Sequence, residues 1–190
     1  MRRTRRNQIE AITQKLLIKH ELFKKAINVK SLAAKLNIKV FYHDLSDDIS
    51  GLLIINDHSA KIGINKKHAD VRKRFTIAHE LGHYCLGHSR KGSVFLDNHE
   101  KTMSMRLYRN SESSTGENIQ EQEANAFAAS LLMPTQLIAD EIDKYSFDLT
   151  NDLGSSKKGD DIDNLAKSFK VSSQAMAFRL SGLGYFNSIF

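Results

Sequence analysis

Two histidines four residues apart, with a glutamate directly after the first, constrain most strongly how this chain can fold. Residues 75–83 read Phe-Thr-Ile-Ala-His-Glu-Leu-Gly-His. If this segment is helical, His79 and His83 share one face, because side chains four positions apart lie about one turn from each other. Two imidazoles at this spacing can bind one metal ion, and Glu80 can then reach a water without binding the metal itself. The segment therefore predicts His79 and His83 as metal ligands, with Glu80 as general base.

A catalytic zinc ion usually has three protein ligands and one open position, so a third ligand is expected elsewhere. No histidine follows His83 at the spacing of His-Glu-x-x-His-x-x-Gly-x-x-His enzymes, and His88 does not fit that pattern. The third ligand should then be a carboxylate on another helix. The best such helix is predicted at 119–133. It offers Glu121 as the first candidate and Glu123 as the alternative.

The residues around Glu121 suit a helix that supports a metal site. Asn125 lies four positions after Glu121 and shares its face, so its side chain can hold a ligand histidine through the second ring nitrogen. Ala124 and Ala128 are small and would let this helix approach the His79 helix closely. The pattern predicts two closely packed helices with the metal between them.

The order of hydrophobic patterns predicts an α+β fold that is mostly helical. Helices are predicted at 9–27, 31–36, 70–86, 119–133 and 162–183, the last with a break near 170–172; strands are predicted at 38–42, 51–56 and 61–65; loops are predicted at 109–118 and 151–161. The strands should form a small three-stranded antiparallel sheet packed on the His79 helix. We expect one metallopeptidase domain over 1–190. Its expected parts are N-terminal helices and sheet at 1–68, a zinc-binding core at 69–134 and a C-terminal helical appendage at 162–184.

Composition favours a cytoplasmic protein without membrane contact. The single cysteine, Cys85, allows no internal disulfide, which fits a reducing compartment. The basic start of the chain is not followed by an apolar core, and the longest aliphatic run, 52–55, is far too short to span a bilayer. Four of the first six residues are arginines and the formal net charge is +6. A solvated basic tail, or weak contact with nucleic acid or an acidic partner, explains both.

The two ligand blocks together resemble the ImmA/IrrE family of metallopeptidases. The second block, 121–134, follows the pattern Glu-x-x-Ala-Asn-x-Phe-Ala-x-x-Leu-Leu-Met-Pro. Its Glu-x-x-Ala-Asn core also resembles the Glu-x-x-x-Asp element of thermolysin-like zinc enzymes, which favours Glu121 over Glu123. The resemblance implies a zinc-dependent endopeptidase that cleaves a partner protein, often a helix-turn-helix repressor encoded nearby in a mobile element or stress regulon. Some relatives act instead as toxins in toxin–antitoxin pairs.

A rival reading comes from the C-terminal segment, because 165–180 resembles a helix-turn-helix. Two short helices would meet at 170–172, with Ser172 or Ser173 as N-cap of the second. Together with the basic N-terminus, this supports a DNA-binding or toxin–antitoxin regulatory protein in which zinc is only structural. Against it, the second helix offers only Arg179 as a cation, whereas DNA readers normally present more basic groups.

The remaining candidates carry weaker signals. His99 and Tyr108 lie between the ligand blocks and could steady an oxyanion. Cys85 is expected to be a small core residue. The other histidines are expected on the surface or in loops: His20, His43, His58, His68, His88 and His99.

Overall fold

The computed structural model describes residues 1–56, 59–88, 94–98, 116–144 and 156–185, the side chains of 94–98, 116–118 and 156–160 excepted. Its helices are α1 (Arg3–Lys19), α2 (Val29–Lys35), α3 (Asp70–Cys85), α4 (Gly116–Leu132), α5 (Thr135–Ile142), α6 (Ser156–Phe169) and α7 (Ser173–Leu183). Its strands are β1 (Ile38–His43), β2 (Ile49–Asn56), β3 (Ser59–Asn65) and β4 (Val94–Asn98). This confirms the predicted α+β class. None of the helices in these ranges combines the length and apolar content needed to cross a bilayer.

The sheet has the strand order β1-β3-β2-β4 and is mixed. Strands β2 and β3 form the predicted antiparallel hairpin, with Leu53 opposite Ile62. Strand β1 pairs with β3 in parallel, so the expectation of a purely antiparallel sheet was wrong. Strand β4 joins the three predicted strands by pairing with β2. Side-chain alternation is the same in both kinds of ladder, which is why the sequence pattern does not reveal strand direction.

One buried asparagine organises the crossing from β1 to β2. The Nδ2 group of Asn65, at the end of β3, donates hydrogen bonds to the carbonyl oxygens of Ser46 at 3.1 Å and Ile49 at 3.0 Å. These bonds hold the 44–48 connection across the end of β3. In the sheet, β3 lies between β1 and β2.

Several helix boundaries differ from those predicted. Helix α1 begins at Arg3 and ends at Lys19, so the arginine-rich start is helical and not a free tail. Helix α6 begins at Ser156, inside the predicted loop 151–161, and α5 was not predicted. The residues 109–115 of the other predicted loop lie outside the described ranges. Polar first turns carry no hydrophobic period, which explains the missed helix starts.

Glu10 joins four helices around the core. It lies on α1 and accepts hydrogen bonds from Ser130 Oγ at 2.7 Å, Thr135 Oγ1 at 2.7 Å and Arg179 at 2.6 Å. Burial alone would raise the pKa of Glu10, but the Arg179 charge and the three donors outweigh it, so the pKa is lowered. The ionised carboxylate thus connects α1 to α4, α5 and α7.

We predict that Glu10→Gln lowers the free energy of unfolding at pH 7 by roughly 2–4 kcal/mol, because Arg179 is left without its counter-charge. The folded pKa lies below the ordinary value of 4.5. The stabilisation is therefore complete above that value and is lost as pH falls through the folded pKa. Urea unfolding at pH 7 and near pH 3 should show the difference from wild type shrinking in acid. Glu21→Gln, at an exposed position, is the charge-matched control; a loss equal at both pH values would contradict the assignment.

Candidate metal centre

Helix α3 buries the residues that carry the motif. It ends at the C-cap Leu86, and Gly87 follows with a φ of +71°, a left-handed conformation that turns the chain away. His79, Glu80 and His83 are almost completely inaccessible to solvent. Burying three groups that can carry charge is costly unless each is given partners or a metal. The surroundings of this face therefore determine what it can do.

Helix α4 packs against α3 at a glycine. A Cβ atom added to Gly82 would lie 3.1 Å from the Ala124 backbone and 3.1 Å from Phe127 Cβ. Ala124, which is fully buried, lies at this contact, so two small residues meet where the helices approach closely; Ala128 is also fully buried. The approach brings Glu121 over the two histidines.

The three predicted ligands lie together. The two Nε2 atoms of His79 and His83 are 3.1 Å apart, and the Glu121 carboxylate oxygens are 3.3 Å from the first and 3.2 Å from the second. Two ligands 2.0–2.1 Å from one ion in tetrahedral geometry stand about 3.3–3.4 Å apart. The donor set therefore fits one small cation. The structure brings Glu121, not the alternative Glu123, to this cluster.

Asn125 fixes the orientation of His79. Its Oδ1 atom lies 3.1 Å from His79 Nδ1. An amide oxygen can only accept, so the Nδ1–H group of His79 donates and its Nε2 lone pair faces the cluster. This is the contact expected from the Glu121/Asn125 spacing.

The protonation states suit a divalent cation. Burial alone would raise the pKa of Glu121, but its close contacts with His79 and His83 outweigh burial and hold the pKa well below its ordinary range. Burial is the main reason why the pKa of His83 is lowered. An ionised carboxylate beside neutral imidazoles is the form that binds metal.

Glu80 lies outside the cluster of donors, on the side of α3 that faces the sheet. A Cβ atom on Gly51 of β2 would lie 3.4 Å from Glu80 Oε1 and would overlap Thr76 Cγ2. Only glycine therefore lets β2 pass so close to this face. The strand encloses the Glu80 carboxylate next to His79 and keeps it apart from bulk water.

His88 and Glu123 have roles that the sequence analysis missed. His88 was expected on the surface or in a loop; it lies in the connection after α3, but its side chain is buried, with Nδ1 3.2 Å from His83 Nδ1 and Nε2 3.0 Å from Glu123 Oε2. Glu123 also pairs with Arg5. The available signal was Gly87, because a residue directly after a helix-ending glycine is turned back towards the helix end.

The other candidates are placed as follows. His43 is exposed, whereas His20 and His68 are partly buried. Cys85 packs against the core as expected, and burial raises the pKa of its thiol to about 12. His58, His99 and Tyr108 lie outside the described residues, so the oxyanion suggestion stays a prediction.

A comparison of two glycines tests the close helix contact. We expect Gly82→Ala to lower the free energy of unfolding by roughly 1–3 kcal/mol, because the Ala124 backbone cannot give way easily. Gly182→Ala lies on α7, where the described residues beyond its own helix backbone and chain neighbours place no atom within 4 Å of the added carbon. This variant should instead raise the free energy of unfolding by about 0.5–1 kcal/mol. Urea unfolding of both variants gives the comparison. A Gly82→Ala protein as stable as wild type would contradict the tight contact.

An α+β fold with two histidines and a glutamate on packed helices is typical of metallopeptidase domains. Residues 33–181 match the peptidase M78 family, described as the IrrE N-terminal-like domain. The match covers most of the 190 residues, and the chain belongs to this family. The resemblance noted in the sequence is thereby confirmed.

A solved structure shows the same fold in a larger protein. It is a Mycobacterium tuberculosis transcriptional regulator, with a TM-score of 0.61, 14% sequence identity, and coverage of 92% of this chain and 46% of that one. The chain thus spans less than half the length of that regulator, and the likeness concerns the fold alone. No curated protein matches the sequence significantly.

Proposed function

We propose that this chain is a zinc-dependent endopeptidase that hydrolyses a peptide bond of a partner protein. The observation that carries the proposal is the buried cluster of His79, His83 and Glu121, with the buried Glu80 directly after His79 in the sequence, in a chain of a peptidase family. Two imidazoles and a carboxylate suit zinc, and three protein ligands leave a position for water or substrate. A structural zinc would more typically be enclosed by four Cys or His ligands.

Each residue then has a defined task. Zinc, when bound, supplies Lewis-acid polarisation of the scissile carbonyl and acidifies the attacking water. Glu80 accepts a proton from that water as its oxygen attacks the carbonyl carbon, and passes the proton to the leaving nitrogen as the C–N bond breaks. Asn125 keeps His79 in the tautomer that can bind metal. The enclosure by β2 excludes other water molecules from Glu80.

The proposed substrate is a helix-turn-helix transcriptional repressor, so that cleavage would relieve repression in a mobile element or a stress response. Support comes from the ImmA/IrrE resemblance and the family match. A substrate of this kind places the reaction in the cytoplasm. A toxin role in a toxin–antitoxin pair is the alternative within the family.

The packing of α7 argues against sequence-specific DNA binding as the main role of the protein. Ser172 caps α7 by accepting a hydrogen bond from the Ala175 backbone at 3.2 Å, and Met176 and Leu180 are fully buried. Arg179, the only cation of α7, has a side chain 12% exposed that pairs with Glu10 and donates to the Met133 carbonyl. The cation that would contact phosphate is thus used inside the protein.

Glu80→Gln tests the mechanism. Glutamine keeps the size of the side chain but cannot accept the proton, so the variant should bind one zinc and cleave at a rate reduced by roughly 10²–10⁴. The measurement is cleavage of the repressor encoded beside the gene, followed by mass spectrometry, together with zinc stoichiometry. Glu121→Ala is the comparison variant and should lose zinc and cleavage together.

Wild-type cleavage by the Glu80→Gln protein would mean that Glu80 is not the general base. Tight, sequence-selective duplex binding that survives zinc removal, with no cleavage by the wild-type protein, would favour the DNA-binding regulator instead.

A further inference from the structure

A chain of hydrogen bonds runs from the N-terminal helix to the metal cluster. Arg5 of α1 donates two hydrogen bonds to the Glu123 carboxylate, from Nε to Oε1 at 2.8 Å and from a terminal guanidinium nitrogen to Oε2 at 2.6 Å. Glu123 Oε2 lies 3.0 Å from His88 Nε2. His88 Nδ1 lies 3.2 Å from His83 Nδ1, and His83 Nε2 faces the cluster. Three residues therefore connect α1 to a proposed ligand.

The direction of each hydrogen bond in this series follows from the Glu123 carboxylate. A carboxylate paired with a guanidinium is ionised and can only accept, so His88 must donate through Nε2–H. In the tautomer of His88 that carries its hydrogen on Nε2, Nδ1 has a lone pair, and His83 donates to it through Nδ1–H. This leaves the lone pair of His83 on Nε2, the atom that faces His79 and Glu121. Asn125 imposes the same tautomer on His79.

Burial makes this arrangement hard to replace by water. Side-chain exposure falls along this series of hydrogen bonds, from 35% at Arg5 and 11% at Glu123 to 6% at His88 and 1% at His83. The rings of His83 and His88 also pack edge to face, with centroids 5.2 Å apart. Solvent thus reaches the outer end of the chain, while the ligand end depends on protein partners.

We propose that Arg5, Glu123 and His88 are positioning residues that hold His83 with its Nε2 lone pair towards the metal. Helix α1 then contributes to the metal centre through Arg5, although the helix precedes residues 33–181, where the family match lies. The inference rests on the proposed metal centre and not on peptide hydrolysis. Asn125 would orient His79 in the same way that His88 orients His83.

A purely mechanical role for the Arg5–Glu123 pair predicts a different result. In that case the pair attaches α1 to α4 and affects only stability, as the contact of the N-terminal amine with Gln122 Oε1 at 3.2 Å also does. A positioning role changes metal affinity and ligand geometry as well. The two roles are separated by measuring metal binding and apoprotein stability on the same variants.

The test is zinc affinity of the full chain, measured by competition with a chromophoric chelator. We expect His88→Ala to weaken zinc binding about 10- to 100-fold and Arg5→Ala about 3- to 10-fold, as for other groups that orient a ligand histidine. His88→Gln, which keeps one donor and one acceptor, should recover part of the loss. Arg3→Ala removes an exposed arginine of the same helix and should leave the affinity within about 2-fold. In the cobalt-substituted protein, His88→Ala should alter the visible absorption bands.

A double variant tests whether Arg5 acts on the metal site through His88. The double variant Arg5→Ala/His88→Ala should bind zinc no more weakly than His88→Ala alone, because Arg5 acts through His88. If the wild type binds zinc but the His88 and Arg5 variants bind it equally tightly, with only apoprotein stability reduced, the inference is wrong and the proposed function stands. If the wild type binds no zinc at all, both fail.

Discussion

The contact between α3 and α4 buries groups that cannot be buried alone. Two imidazoles and a carboxylate meet with 3.1–3.3 Å between neighbouring donor atoms, and removing such groups from water costs several kcal/mol unless their lone pairs and charges are matched. Gly82 makes the contact possible, and the carboxylate of Glu121 matches the histidines in part. A divalent cation would complete the match, which is why so much of the surrounding structure serves to orient these side chains.

The rest of the fold supports α3 from several directions. Strand β2 covers the Glu80 side through Gly51. At the other end, the Arg74 guanidinium donates to the Ile27 carbonyl at 2.8 Å and to the Lys170 carbonyl at 3.1 Å, so it ties α3 to the connection before α2 and to the end of α6. The C-terminal helices, which look like a DNA-binding motif in sequence, thus contribute anchoring contacts to the helix that carries the histidines.

The predictable part of this site is the part that is local in sequence. The pairs His79/His83 and Glu121/Asn125 each lie four residues apart on a helix, so periodicity alone shows that each pair shares a face. The contacts of Arg5 with Glu123 and of His88 with Glu123 join residues far apart in the chain, and no spacing rule indicates them. The parallel pairing of β1 with β3 was missed for the same reason, because it depends on which strand lies between two others. The spacing of Glu121 and Asn125 made Glu121 the first candidate, and the resemblance to a family strengthened that choice over Glu123.

The central claim is that one zinc ion binds to His79, His83 and Glu121 and keeps a position free for chemistry. A crystal structure of the zinc-loaded protein, with anomalous data collected on both sides of the zinc absorption edge, tests it most directly. We predict one anomalous peak 2.0–2.1 Å from the Nε2 atoms of both histidines and about 2.0–2.2 Å from a Glu121 oxygen, with water as the remaining ligand. A peak at another place, or a fourth protein ligand that closes the coordination sphere, would contradict the account.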